Sequence, residues 1–227
     1  MKEKISEKID QAALAYCENT GLRAAVNAIP YIGGSLDVLF SSKGQQIFQK
    51  RILLLLKSLR QDMASLKESS VDQAFLESEE WFDLVVRAME CTVRTRDSRK
   101  IELYSRLLCS SVMETERYPH NPEDYLAVLA ELTPREVELA WVIYQQQSDR
   151  PAKNANPLGW ARQKGWDHVA ADAGLDEADA VFLLKRLERS GLISEVTGAY
   201  FGYQGGVYVI TETFRQLMDF LQRGDES

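Results

Sequence analysis

The residues Asp167-His-Val-Ala-Ala-Asp-Ala-Gly-Leu-Asp-Glu-Ala-Asp-Ala-Val-Phe-Leu-Leu-Lys-Arg-Leu-Glu-Arg-Ser-Gly-Leu-Ile193 carry two short helical patterns back to back. The first ends at Gly174, a residue that adopts the left-handed backbone closing many helices. Asp176 then stands where an N-cap is wanted, and Val181, Leu184 and Leu187 form an inward face that runs until Gly191. Downstream, Ile193-Ser-Glu-Val and Gly206-Val-Tyr-Val-Ile alternate like strands around the turn-rich Gly198…Gly205 connection. A last helix, Glu212–Arg223, offers Phe214, Leu217, Met218 and Leu221 for packing.

Upstream, Thr133-Pro-Arg-Glu136 reads as a helix start: Thr133 as N-cap, Pro134 at the first helical position and Glu136 closing a capping box. That helix carries Val137, Ala140, Trp141 and Tyr144 to about Gln147. A polar loop, Ser148 to Gly165, joins it to the stretch quoted above. The chain changes character near Leu132, which predicts two domains, 1–132 and 133–227.

The order of helices, the turn glycine Gly174, the ending Ser190-Gly-Leu-Ile193 and the following hairpin resemble a winged helix-turn-helix domain across about Thr133–Arg223. In versions of that fold that read DNA, the N-terminal part of the second helix meets base edges, so polar and basic residues belong there. Here the positions are Asp176, Glu177, Ala178, Asp179 and Ala180. From Thr133 to Ser227 ten Lys and Arg stand against fourteen Asp and Glu, a net of −4. Carboxylates suit a helix N-terminus on their own account. They also weigh against duplex readout, which needs a basic footprint. Asp176, Glu177 and Asp179 are therefore read as part of a protein-contact helix.

A second resemblance covers Lys100-Ile-Glu-Leu-Tyr-Ser-Arg-Leu-Leu, His120-Asn-Pro-Glu-Asp-Tyr-Leu-Ala-Val-Leu-Ala-Glu-Leu-Thr-Pro-Arg-Glu and the ending Val207-Tyr-Val-Ile-Thr-Glu-Thr-Phe. These are similar to a pattern in the abortive-infection alpha family, although Glu212 and Thr213 stand where members often have glycine after the Thr. The resemblance implies a bacterial helical protein with a link to phage defence, and it brings no catalytic residues.

The first 132 residues predict a bundle of about five helices. Ile5, Ile9, Ala12, Ala13 and Tyr16 share one helical face, and Ala24–Phe40 is apolar on nearly all sides but interrupted by Pro30 and Gly33-Gly34. The clearest helix, about Lys43 to Lys67, has the stripe Phe48, Ile52, Leu55, Leu59, Met63, Leu66, with Leu53, Leu54 and Leu56 widening it. That seam could continue into a homodimer interface. Helices are predicted over Val71–Cys91 (Phe75, Phe82, Val85, Met89), Ser98–Met113 (Ile101, Tyr104, Leu108, Val112) and Glu123–Glu131.

The chain has 227 residues and a formal net charge of −7, with 45% apolar residues, which excludes wholesale disorder. Cys17, Cys91 and Cys109 are far apart, and His120 and His168 lack ligand-spaced company, so buried thiols are expected rather than disulfides or a metal site. The charged start Met1-Lys-Glu-Lys is unlike a signal peptide. The apolar run Ala24–Leu36 is thirteen uncharged residues, short of the ~20 that span a bilayer. A cytoplasmic protein is the expectation.

No chemistry-bearing constellation stands out. The pairs Glu79-Glu80 and Glu114/Glu116 lack ligand-spaced partners, Gly33-Gly34 lacks a phosphate-cradling frame, and no nucleophile elbow is present. Neither a catalytic residue nor a cofactor is expected. The densest cationic stretch, Arg94-Thr-Arg96-Asp-Ser-Arg99-Lys100, reads first as a solvated turn in which Asp97 or Ser98 caps the next helix. The alternative is an arginine grip on a phosphate or carboxylate. Arg162 and Lys164, interleaved with Trp160 and Trp166, could neutralise nucleic acid, though the tryptophans also suit pinning a long loop.

These readings add up to a mainly α protein: an N-terminal helical bundle plus a small C-terminal winged-helix (α+β) domain. The leading function is a non-enzymatic interaction or regulatory protein with a protein partner or a homodimer. One alternative is a DNA-binding regulator using Tyr200, Tyr203 and Gln204 of the wing, with Arg162 and Lys164 on phosphates. Another is a defence effector whose Ala24–Phe40 segment enters a membrane interface.

Overall fold

The stripe that begins at Phe48 folds into one uninterrupted helix, α1 (Ser42–Ser65), in a computed structural model that describes residues 42–66, 71–113, 121–147, 166–196 and 206–222. The described residues are mainly helical, with one two-stranded sheet. They fall into two compact units, one ending at Ala130 and including Leu221 onward, the other Glu131–Phe220. The predicted helix from Ile5, the apolar Ala24–Phe40 segment and Cys17 lie outside the described residues.

In the first unit, Ile52, Leu55, Leu59 and Met63 of α1, and Leu66 just after it, are buried. Their main partner is α4 (Ser98–Ser111), which contributes Ile101, Tyr104, Leu107 and Leu108. The seam is thus covered within the chain from Ile52 to Leu66, and Phe48 is half-buried. Leu56 joins this face, whereas Leu53 is 59% exposed.

The single helix predicted over Val71–Cys91 is two helices, α2 (Gln73–Leu76) and α3 (Glu79–Arg94). Two capping side chains compete for the chain here. Asp72 accepts the Phe75 amide at 3.0 Å, and six residues later Ser78 accepts the Trp81 amide at 3.2 Å. The restart at Ser78 resets the helical phase. Trp81, Leu84, Val85, Ala88 and Met89 therefore turn inward, and Phe82, expected on that face, is 53% exposed. The start of α2 is tied back by the Asp72 amide, which donates to the Val112 carbonyl at 2.8 Å.

Helix α5 (Pro122–Glu131) buries Tyr125, Leu126 and Leu129, and Asn121 accepts the Glu123 amide at 3.1 Å at its start. Ser105 donates to Asp62 and Arg87 pairs with Glu123, linking α4 to α1 and α3 to α5.

The second unit opens with α6 (Pro134–Gln147), and the reciprocal capping box forms: the Thr133 amide donates to Glu136 at 2.6 Å, and the Glu136 amide to the Thr133 hydroxyl at 3.3 Å. The core face is Leu139, Ala140 and Ile143, while Trp141 stands exposed beside Tyr144, which packs on Phe214 at 5.7 Å. Helix α7 (Trp166–Asp172) ends in a Schellman arrangement at Gly174, φ +62°: the Leu175 amide reaches the Ala170 carbonyl and the Gly174 amide reaches Ala171. Helix α8 (Glu177–Arg189) follows and packs against α6, α7 and β1 (Ile193–Glu195).

Strand β1 pairs antiparallel with β2 (Tyr208–Ile210), matching Ile193 to Ile210 and Glu195 to Tyr208. Both outer edges are occupied by side chains. Gln147, buried in α6, donates to the Tyr208 carbonyl at 3.0 Å and accepts the Ile210 amide at 2.9 Å. On the other side Glu188 accepts the Glu195 amide at 3.0 Å. Thr211 caps the last helix, α9 (Glu212–Gln222), by accepting the Phe214 amide at 3.2 Å. That helix buries Phe214, Leu217, Met218 and Leu221, and also Phe220.

Leu59→Ala should lower the unfolding free energy by about 2–5 kcal/mol, and Leu53→Ala by less than about 0.5 kcal/mol. Urea unfolding followed by circular dichroism checks both, and equal losses would contradict the burial described for α1.

Candidate functional site

The most distinctive surface of the second unit is the outer face of α8. Its register is set by Asp176, which has extended backbone and accepts the Asp179 amide at 2.8 Å. Glu177 and Asp179 in the first turn complement the positive end of the helix dipole. From that start, Ala180, Leu183, Leu184 and Leu187 are buried. The opposite stripe is Ala178, Val181, Phe182, Lys185 and Arg189, at steps of three, one, three and four. Val181, expected inward, is 42% exposed, and Phe182 is 61% exposed. The correction follows from the helical repeat: Val181 sits about 100° around from Ala180, off the packed stripe.

Three of the cations on or near this face, Lys185, Arg135 and Arg186, are held by carboxylates. Lys185 donates to Glu195 at 2.6 Å and to Glu188 at 3.0 Å, and lies 5.4 Å from the centre of the Tyr208 ring. The Glu195 carboxylate, followed by Glu188, raises the affinity of Lys185 for its proton. Arg135 pairs with Asp179 at 2.6 Å. Arg186 binds Glu136 and lies over the Phe182 ring at 6.0 Å. Asp176 and Glu177 remain exposed at the tip.

Glu136 fixes this arrangement. Burial pushes its carboxyl pKa up, but the Arg186 guanidinium and both donors of Thr133 outweigh burial and hold it below the usual 4.5. One carboxylate thereby closes the α6 cap and grips α8.

The basic cluster between α3 and α4 is redistributed by the fold. Asp97 caps α4 by accepting the Arg99 amide at 2.9 Å, and also takes the Arg99 guanidinium on both oxygens, at 3.3 and 3.2 Å. Lys100 is buried, donating to the Ala130 carbonyl at 3.2 Å and lying 5.9 Å from the Tyr104 ring centre. Arg94 and Arg96 are exposed. Arg51, which no local sequence signal singles out, donates to the Val93 carbonyl in the last turn of α3.

Arg162, Lys164, Tyr200, Tyr203 and Gln204 lie outside the described residues. Cys91 and Cys109 are free thiols. Among the described residues no group of three or more His, Cys, Asp and Glu side chains stands together to hold a metal ion, and no helix is long and apolar enough to cross a membrane.

Glu136→Gln tests the central role of this carboxylate. Because folding depresses its pKa, its ionic contribution is full above pH 4.5 and is lost as pH falls through the folded value. The variant should be less stable by about 1–2 kcal/mol at neutral pH, and the difference should shrink below pH 4; a constant gap on acid titration by circular dichroism would refute the assignment. No family model, curated protein or solved structure matches the chain.

Proposed function

We propose that the chain is a non-enzymatic bacterial interaction protein. Its C-terminal unit, taken as a winged helix, meets a protein partner through the outer face of α8. The observation that carries this reading is the pair Val181 and Phe182, two adjacent large apolar side chains exposed on one helix. Apolar anchors framed by charge are what protein interfaces use, and aromatic side chains often supply most of their binding energy. A duplex-reading helix needs polar donors at those positions and cations at its tip. Here the tip carries Asp176, Glu177 and Asp179, and Lys185 and Arg186 are engaged by Glu195, Glu188 and Glu136. The resemblance to the abortive-infection alpha family adds phage defence as the proposed setting.

Two measurements test the reading together. Purified protein should show no nanomolar, salt-dependent shift of random duplex DNA between 50 and 200 mM salt, conditions over which ~6–10 phosphate contacts would change affinity by about 10³–10⁵. A photo-crosslinking residue in place of Phe182, introduced in the native host, should give a discrete protein adduct. A salt-dependent shift, or a nucleic-acid adduct, would reinstate the DNA-binding regulator.

A further inference from the structure

The arginines at the end of α3 stand on the first unit, and α8 belongs to the second. The α3 helix ends in an ordered turn: the Thr95 amide closes onto the Cys91 and Thr92 carbonyls, and the Asp97 amide donates to the Thr95 hydroxyl at 3.3 Å. Arg94 and Arg96 flank Thr95 in this turn and are exposed. Arg51 is anchored beside them through the Val93 carbonyl. Burial, and after it the nearness of Arg96, lowers the pKa of the Arg51 guanidinium, so Arg51 and Arg96 feel each other's charge.

The one nearby carboxylate on this turn, Asp97, is occupied by Arg99, and neither Arg94 nor Arg96 has a carboxylate partner among the described residues. The negative end of the α3 dipole explains one cation, and Arg51 already takes the Val93 carbonyl. It does not explain two more, Arg94 and Arg96, exposed within three residues of that carbonyl in a chain of net charge −7. A single carboxylate would leave most of this charge uncompensated, whereas a phosphoryl group brings about two negative charges and several acceptor oxygens.

We propose that Arg51, Arg94 and Arg96 form a binding site for the phosphate groups of a small phosphorylated ligand, with guanidinium forks engaging its oxygens. The ordered turn and the anchored Arg51 hold part of the site in place before binding. The proposal is independent of the reading of α8.

The test is titration calorimetry of inorganic pyrophosphate into the full chain at 150 mM chloride, for the wild type and for Arg94→Gln, Arg96→Gln and Arg96→Lys, each first checked for unchanged circular dichroism and melting temperature. Saturable binding is expected, weakened about tenfold by each Gln substitution and still weakened by Arg96→Lys, which keeps the charge but loses the fork. Absence of saturable binding, or affinities unchanged in both Gln variants, would overturn the proposal. So would a single-stranded oligonucleotide binding through the same arginines far more tightly than pyrophosphate, since the site would then belong to a polymer.

Discussion

The buried carboxylate of Glu136 is the constraint on which the second unit turns. Burying a carboxylate is costly unless charge and hydrogen bonds compensate it. Here the Thr133 amide and the Arg186 guanidinium both do so. The first contact fixes where α6 begins, and the second fixes how α8 is rotated against it. With Arg186 drawn toward α6, Leu183, Leu184 and Leu187 fill the core and Phe182 is left outside, its ring face lined by the same guanidinium. The exposed aromatic and the buried acid are two ends of one arrangement.

Charge is handled differently in the two units. In the second, three of the described cations on or near α8 are paired at short range, Arg135 with Asp179, Lys185 with Glu188 and Glu195, and Arg186 with Glu136, while Arg189 is exposed in the last turn. Paired charges contribute little to a long-range field, and the face around them is of local, mixed polarity. In the first unit, Arg94 and Arg96 stand at a helix end where the backbone dipole already favours cations and no described carboxylate answers them.

Features written in adjacent residues were legible in the sequence. The capping box from Thr133 to Glu136, the cap at Asp176, the glycine stop at Gly174 and the seam of α1 all depend on spacings within a turn or two of helix, and they fold as those spacings predict. What escaped depends on competition or on distance. Ser78 reads as an ordinary helix residue until its capping of Trp81 is weighed against the apolar run around it, and the broken phase then moves Phe82 out of the core. Val181 and Leu184 are equally apolar, so periodicity alone does not say which lies on the packed stripe; a helical wheel started at the Asp176 cap would have separated them. Arg51 joins Val93 across 42 residues of chain, and no local pattern announces such a pairing.

The two side chains that occupy the rims of the small sheet bear on how copies of this chain can meet. A two-stranded ribbon ordinarily offers its free backbone donors and acceptors to any passing strand. Gln147 fills that role along β2, and Glu188 takes the Glu195 amide of β1. Ribbon extension by a neighbouring molecule would first have to evict a buried amide on one side and a carboxylate on the other. Self-association of this unit is thereby steered away from strand templating, the route that leads to open-ended polymers, and toward side-chain contacts that can close on themselves.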